Sequence, residues 1–270
     1  MQPKAAEWEL FYSRVLKRTG LDLNDYKSEQ LQRRLVNLFR TCKVANLDEL
    51  WTYAQAQPNG TSWLFDQIAI NVTELFRNPE KWAELEQKVI PQLLAKSPTL
   101  KCWSAGCSIG AEAHTLACLF AEKFPGRHSI LGTDIDMSAL AEAKRGVFSA
   151  ADAKATPSAY LKKYFTPQDK SYQANPALTK YLQFKHGNLL ADRFDTGYDL
   201  ILCRNVVIYF TDEAKDQLYQ KFWSALKPGG ILWIGGTERI HNHRYLGFES
   251  PHPFFYQKTN NVEQTWRNAS

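Results

Sequence analysis

The sequence predicts an α/β protein: a doubly wound, mostly parallel sheet with a small N-terminal all-α domain and a small inserted subdomain. Three observations predict it. From Leu100 onward, apolar strand-like runs at 100–105, 129–134, 198–203 and 230–235 alternate with helical stretches at 111–123, 137–145 and 211–226. That alternation is the pattern of a parallel sheet wound on both sides. Before Leu100 the texture is helical, and between 150 and 185 a polar, proline-bearing stretch interrupts the alternation.

Residues 6–57 read as helical throughout. Leu31, Leu35 and Leu38 recur at i, i+4 and i+7, one face of a helix. Pro58-Asn59-Gly60-Thr61-Ser62 breaks the pattern and caps a further helix from about Trp63. Residues 1–70 are therefore expected to form the helical domain. The larger domain spans 71–258 and opens with a helix over 79–95, with Pro79 near its start. The insertion at about 150–185 reads as a helix plus a small antiparallel excursion, ending in Tyr181-Leu182-Gln183-Phe184; residues 259–270 form a polar tail. Trp103 and Trp233 lie in strand-like runs and are expected in the core.

The bulk composition, 44% hydrophobic and 23% charged over 270 residues, is that of a soluble globular protein. No run approaches the ~18 apolar residues needed to span a bilayer, and Met-Gln-Pro-Lys-Ala-Ala-Glu lacks a signal-peptide core, so a cytoplasmic protein is expected. Five cysteines, at 42, 102, 107, 118 and 203, contain no Cys-x-x-Cys pair and read as reduced thiols. The six histidines are scattered and read as structural or solvated, so no metal site is expected. A net charge of +5 permits an acidic partner without demanding nucleic acid.

Four segments converge where strand ends meet in an open α/β sheet. Cys102-Trp-Ser-Ala-Gly-Cys-Ser-Ile-Gly-Ala-Glu112 is a strand running into a glycine loop that opens a helix. Its two glycines, Gly106 and Gly110, do not make a dinucleotide fingerprint. A second strand ends on Thr133-Asp134-Ile135-Asp136, a third precedes Gly187-Asn188-Leu189-Leu190, and a fourth runs into Cys203-Arg204-Asn205-Val206-Val207-Ile208-Tyr209-Phe210. A Lys227-Pro228-Gly229-Gly230 turn before a last strand completes a pattern of the nucleoside-cofactor methyltransferase type.

With Asn71-Val72-Thr73-Glu74-Leu75-Phe76-Arg77 added, the chain resembles the chemotaxis receptor methyltransferase family along nearly its whole length. These are CheR-type protein-glutamate O-methyltransferases that use S-adenosylmethionine. The combination of Asn-x-Thr-x-x-x-Arg with Cys-Arg-Asn-Val-x-Ile-Tyr-Phe carries the resemblance. It implies cofactor contacts from Asn71, Thr73, Arg77, Glu112, Asp134, Asn188, Leu189, Arg204 and Asn205, and places Tyr209 near the transferring methyl. Asp134 offers two acceptor oxygens to a ribose diol. Glu112 suits the cofactor's ammonium, Arg77 can hold a carboxylate bidentately, and Asn188 suits the adenine edge. Arg77 and Tyr209 are read as orienters at the reacting centre, because a glutamate with a pKa near ~4.3 is already a nucleophile at neutral pH.

The resemblance also implies the partner: the glutamate-rich cytoplasmic helices of chemoreceptors, approached by the N-terminal module. Lys27, Arg33, Arg34, Arg40 and Lys43 face only Glu29 in charge between 27 and 43, and Arg33 and Arg40 share a helical face. Arg33, Arg34, Arg40 and Lys43 are taken as the docking residues. The expected protein is a monomer with no nucleic-acid partner and no membrane insertion. The insertion shows no signature of a pocket for a receptor tether, so weak or no tether binding is expected.

The glycine loop departs from the family pattern. The usual Ser-Thr-Gly-Glu-Glu-Pro-Tyr reads Ser108-Ile109-Gly110-Ala111-Glu112-Ala113-His114, which keeps the cofactor-facing acid but changes four positions. Those changes support an alternative, a cofactor-binding but weakly active or inactive signalling module. A nucleic-acid methyltransferase is disfavoured, because Cys203-Arg204-Asn205-Val206 stands where an Asn/Asp-Pro-Pro-Tyr run would hold a base amino group.

Overall fold

The computed structural model describes residues 3–58, 60–68 and 73–259. The N-terminal segment is not continuously helical as its apolar spacing suggested. Helix α1 (Ala5–Thr19) ends on Gly20, whose φ of 73° lets its N–H close on the Leu16 carbonyl. A 3₁₀ turn follows at Leu23–Asp25, fixed by the Asp22 side chain accepting from Asn24 N–H. Helix α2 (Ser28–Cys42) stops at Lys43, also left-handed with φ 56°, and Asn46 then caps α3 (Leu47–Gln55). With α4 (Ser62–Ile68), these helices bury Phe11, Val15, Leu31, Leu35, Leu50 and Leu64 in one core.

The segment expected as one helix over 79–95 is interrupted. Helix α5 (Pro79–Glu84) widens into a π turn at Leu85–Val89 before α6 (Ile90–Leu94). Pro91 has no N–H to donate back into the helix, and the widened turn precedes it.

In chain order the larger domain then runs β1 (Lys101–Ala105), α7 (Ala111–Lys123), β2 (Ser129–Asp134), α8 (Met137–Arg145), β3 (Val147–Ser149), α9 (Ser158–Tyr164), β4 (Phe165–Gln168), β5 (Ser171–Ala174), β6 (Leu182–His186), β7 (Tyr198–Cys203), α10 (Asp212–Ala225), β8 (Leu226–Ile234), β9 (Phe248–His252) and β10 (Phe255–Lys258). The main sheet has the order β6-β2-β1-β7-β8-β10-β9. Strands β6 to β8 pair in parallel, and β10 and β9 close the edge as an antiparallel hairpin. The mostly parallel, doubly wound sheet is the one the sequence predicts. Its strand order reverses at β1, between β2 and β7, so the crevice forms beyond the ends of those strands.

Alternate residues of the central strands feed two cores. Cys102, Leu200, Leu202, Ile231 and Trp233 pack with α7 and Trp82 on one face. Trp103, Ile201, Cys203, Leu232 and Ile234 pack with Leu218 and Phe222 of α10 on the other. Both tryptophans are buried, Trp103 donating to Thr133 Oγ1 at 2.9 Å and Trp233 stacking on Phe255.

Three details differ from the sequence reading. Lys227-Pro228-Gly229-Gly230 is a bulge inside β8, where the register slips from Tyr198↔Leu226 to Leu200↔Ile231. The β9–β10 hairpin, turned at Phe254 with φ 73°, was not anticipated because its strands are short and Pro251 and Pro253 mask them. The inserted sheet, in the order β3-β5-β4, begins at Val147, before the expected 150, and does not include Leu182–His186, which is the main-sheet strand expected ahead of Gly187. No helix among the described residues is long and apolar enough to cross a membrane.

Candidate active site

The glycine loop leaves β1 with Gly106 at φ 76° and Gly110 at φ 79°. A Cβ on Gly106 would lie 2.6 Å from Val206 Cγ2, and one on Gly110 would lie 2.8 Å from Ala143 Cβ, so only glycine lets the loop pass between β7's exit and α8. Ser108 is left-handed as well, with φ 48°. Its N–H donates to Asp134 Oδ2 at 2.7 Å, while Asp136 N–H donates to Asp134 Oδ1 at 2.9 Å. The Asp134 carboxylate is thereby held where it lines the cleft, and each oxygen keeps further acceptor capacity. Burial raises its pKa, and the backbone donors oppose that shift.

Glu112 lies in the first turn of α7, under the loop. Its Oε1 accepts from Ser104 Oγ at 2.7 Å and its Oε2 lies 3.6 Å from Arg204 Nη1. Burial raises its pKa; Arg204 and Ser104 pull it back. Arg204 is itself largely committed to protein groups. Its guanidinium sits 4.3 Å over the Trp233 ring, and Nη2 donates to the Arg77 carbonyl at 2.9 Å and to Asn78 Oδ1 at 3.0 Å. Arg204 therefore ties Glu112 to the Arg77 segment, a bracing position that the cofactor-contact reading did not include. That segment is backbone-strained: Phe76 and Asn78, on either side of Arg77, have φ 55° and 60°.

The loop after β7 is held by a residue the sequence reading missed. Glu238, only 4% exposed, accepts from Asn205 N–H at 2.9 Å, Val207 N–H at 3.1 Å and Gly235 N–H at 2.5 Å. Asn205 is again left-handed, φ 61°. Burial raises the Glu238 pKa and these backbone donors lower it. Nothing local in Gly235-Gly236-Thr237-Glu238 announces that role; only proximity to β7's exit does.

Thr73, Arg77, Glu112, Asp134, Asn188, Leu189, Arg204, Asn205 and Tyr209 all line one cleft. Asn71 lies outside the described residues. Asn188 is braced by protein groups where it lines the cleft. Its Oδ1 accepts from Leu190 and Ala191 N–H, and its Nδ2 donates to the Gly20 carbonyl at 3.1 Å, so most of its amide binds protein. The docking set splits. Arg33, Arg40 and Lys43 are exposed, but Arg34 turns inward, donating to the Ile68 carbonyl and lying 5.8 Å over the Tyr209 ring. One residue is a rotation of about 100° on a helix, enough to move Arg34 off the solvent face.

The N-terminal domain also lines the cleft, through Leu21, Tyr26 and Ile68. Tyr26 pairs with Phe210 in an isolated antiparallel bridge, Lys27 N–H donates to the Tyr209 carbonyl at 2.9 Å, and Thr211 N–H donates to the Asp25 carbonyl at 2.8 Å. In contrast, none of Ile109, Ala111, Ala113 and His114 lines the cleft. Ala111 and Ala113 are fully buried in the core against the sheet. His114 bonds the Gly110 carbonyl at 2.8 Å, stacks on Phe184 and meets Phe148 edge-on. Burial lowers its pKa to about 4, so it is neutral at physiological pH. The four departures lie behind the loop, in its packing.

The donor set fits a nucleoside cofactor bearing an amino-acid tail: the half-buried carboxylates of Glu112 and Asp134, an apolar wall of Ile135, Leu189 and Leu190, and a buried Ser108 Oγ with no protein partner among the described residues. A crevice at the switch point of a parallel sheet is where nucleotide-type cofactors bind, and the family matches give the class, the S-adenosylmethionine-dependent methyltransferases. Residues 71–251 match the CheR methyltransferase, SAM binding domain, and residues 6–68 match the CheR methyltransferase, all-alpha domain. The chain belongs to the CheR methyltransferase family.

It is 37% identical over 262 residues to a chemotaxis protein methyltransferase of Listeria innocua, covering 96% of this chain and 100% of that one. A chemotaxis protein methyltransferase of Borreliella burgdorferi is 32% identical, with 88% and 89% covered, and one of Salmonella typhimurium is 26% identical, with 84% and 82% covered. The chain is accordingly an S-adenosylmethionine-dependent methyltransferase of a chemotaxis family.

Proposed function

We propose that the chain transfers the methyl group of S-adenosylmethionine to glutamate side chains on the cytoplasmic helices of chemoreceptors, forming methyl esters. The cofactor supplies an activated methyl on a sulfonium. In this reading Glu112 pairs with its ammonium, Asp134 receives the ribose diol, and Thr73, Leu189 and Asn205 complete the walls. Arg77 and Tyr209 orient the incoming carboxylate. No base is required, since the nucleophile is already ionised at neutral pH. Alignment and exclusion of water are the residues' main contribution, worth roughly 7–11 kcal/mol in well-oriented systems.

The observation that carries this reading is the two-sidedness of α2. Arg33 and Arg40 stand exposed on one side with no ion pair among the described residues, while Arg34 beside them reaches Tyr209 at the cleft. An acidic helix steered to the outer stripe would arrive next to the reacting end of the cleft. The position of Ile109, Ala111, Ala113 and His114 outside the cleft favours an active enzyme over an inactive binding module.

Incubation with labelled S-adenosylmethionine and a chemoreceptor cytoplasmic fragment tests the proposal. Base-labile label on the fragment, lost when its methylatable glutamates are changed to alanine, is expected. Cofactor binding without base-labile incorporation would reject it, and base-resistant label in DNA or RNA would point to a different substrate.

A further inference from the structure

We propose that the Tyr26 hydroxyl donates a hydrogen bond to the nucleoside half of the cofactor, making the all-α domain part of the cofactor site. The proposal rests on the cofactor reading of the cleft. Tyr26 lines the same cleft as Asp134, Asn188 and Phe210 although it is more than a hundred residues from each of them in sequence. Its backbone is fixed on both sides by the Lys27–Tyr209 and Thr211–Asp25 hydrogen bonds, and its ring meets Phe210 edge-on at 5.1 Å. A further tie runs from Asn188 Nδ2 to the carbonyl of Gly20.

The hydroxyl makes no hydrogen bond to another described residue, and the side chain is half-buried at the cleft. Burial, followed by the neighbouring Asp134 charge, pushes the phenol well above its ordinary range. A phenol is protonated at neutral pH, so this unpaired hydroxyl at the cleft can donate to the hydroxyls and ring nitrogens of a nucleoside. The turn bearing Tyr26 leads directly into α2, so the element proposed to meet the receptor begins where the cofactor chamber closes.

Calorimetry on the full chain with two probes, S-adenosylhomocysteine and methylthioadenosine, decides the matter. Tyr26→Phe keeps the ring contact with Phe210 and removes only the donor, and its thermal midpoint checks folding. The expected result is roughly three- to tenfold weaker binding of both probes, the worth of one hydrogen bond. Tyr12→Phe, in the core of the same domain, should bind both like the native chain. Binding of both probes within about twofold of native by Tyr26→Phe would overturn the proposal. Weakening confined to S-adenosylhomocysteine would also overturn it, because the hydroxyl would then address the amino-acid half. Failure of the native chain to bind either probe would instead remove the cofactor reading beneath it.

Discussion

Glu112 and Arg204 face each other across the floor of the cleft, Oε2 to Nη1 at 3.6 Å, with 13% and 5% of their side chains exposed. The pair joins the glycine-loop helix to the exit of β7, and through the Arg77 carbonyl it reaches the strained segment at 76–78. Its geometry is maintained by Ser104 beneath the carboxylate and Trp233 beneath the guanidinium.

Arg204→Lys should therefore not behave conservatively. A point charge cannot span Glu112, the Arg77 carbonyl and Asn78 at once, nor lie flat on Trp233. Loss of stability of about 1–3 kcal/mol by urea unfolding is expected, the cost of leaving a buried acceptor such as the Arg77 carbonyl without its donor. Activity should fall with it. An unchanged unfolding midpoint would show that the bracing is unimportant.

Glu112→Gln keeps the shape of the side chain and removes its charge. Cofactor affinity is expected to fall about ten- to a hundredfold, the worth of a charge-assisted hydrogen bond. Methylthioadenosine, which lacks the ammonium, should bind with nearly native affinity. Equal losses for both ligands would place Glu112 elsewhere than at the amino-acid tail.

Glu238→Gln keeps one acceptor oxygen for the N–H groups of Asn205 and Gly235 and turns an amide nitrogen toward the Val207 N–H. One buried donor left without an acceptor costs about 1–3 kcal/mol. The displaced loop bears Tyr209, so kcat should fall more than cofactor affinity. Native kcat at saturating substrate would contradict that.

His114 makes a pH prediction. Its folded pKa is about 4 against an ordinary 6.5, so the unfolded chain binds the extra proton first. Stability from this group is complete above about pH 6.5 and is lost as pH falls toward 4, an amount of roughly 3 kcal/mol. The raised pKa values of Glu112, Asp134 and Glu238 act in the opposite sense, favouring the folded state on acidification. The comparison must therefore be made against His114→Phe, whose stability should fall less between pH 6.5 and 4. Parallel curves would refute the assignment.

Charge reversal on the docking stripe, Arg33→Glu with Arg40→Glu, should raise KM for the receptor fragment at least tenfold at low salt, with less effect at high salt. Cofactor affinity should stay native, since neither residue lines the cleft. Arg34→Ala should differ by lowering kcat, through its contact with Tyr209.

Much of this was readable from the chain alone. Apolar runs of strand length separated by helical spacing specify a wound parallel sheet, because each strand must bury both faces and each crossover one. Strand ends carrying Gly106, Asp134, Asn188 and Arg204 had to converge once the sheet order followed. The bend after Gly20, the bulge at Gly229 and the β9–β10 hairpin were less legible, since left-handed residues and short proline-bearing strands leave weak periodic signals.

Sequence by itself determined the family, the sheet and the residues gathered around the crevice, since local hydrophobic periodicity and motif spacing encode them. Only the tertiary structure decided which neighbouring side chains face it. It separated Arg33 from Arg34, set Ile109 and His114 behind the loop, bound the Asn188 amide to Gly20, and brought Glu238 and Tyr26 to the site. Those placements depend on helix rotation and on contacts between residues far apart in the chain, and such contacts leave no mark in local spacing.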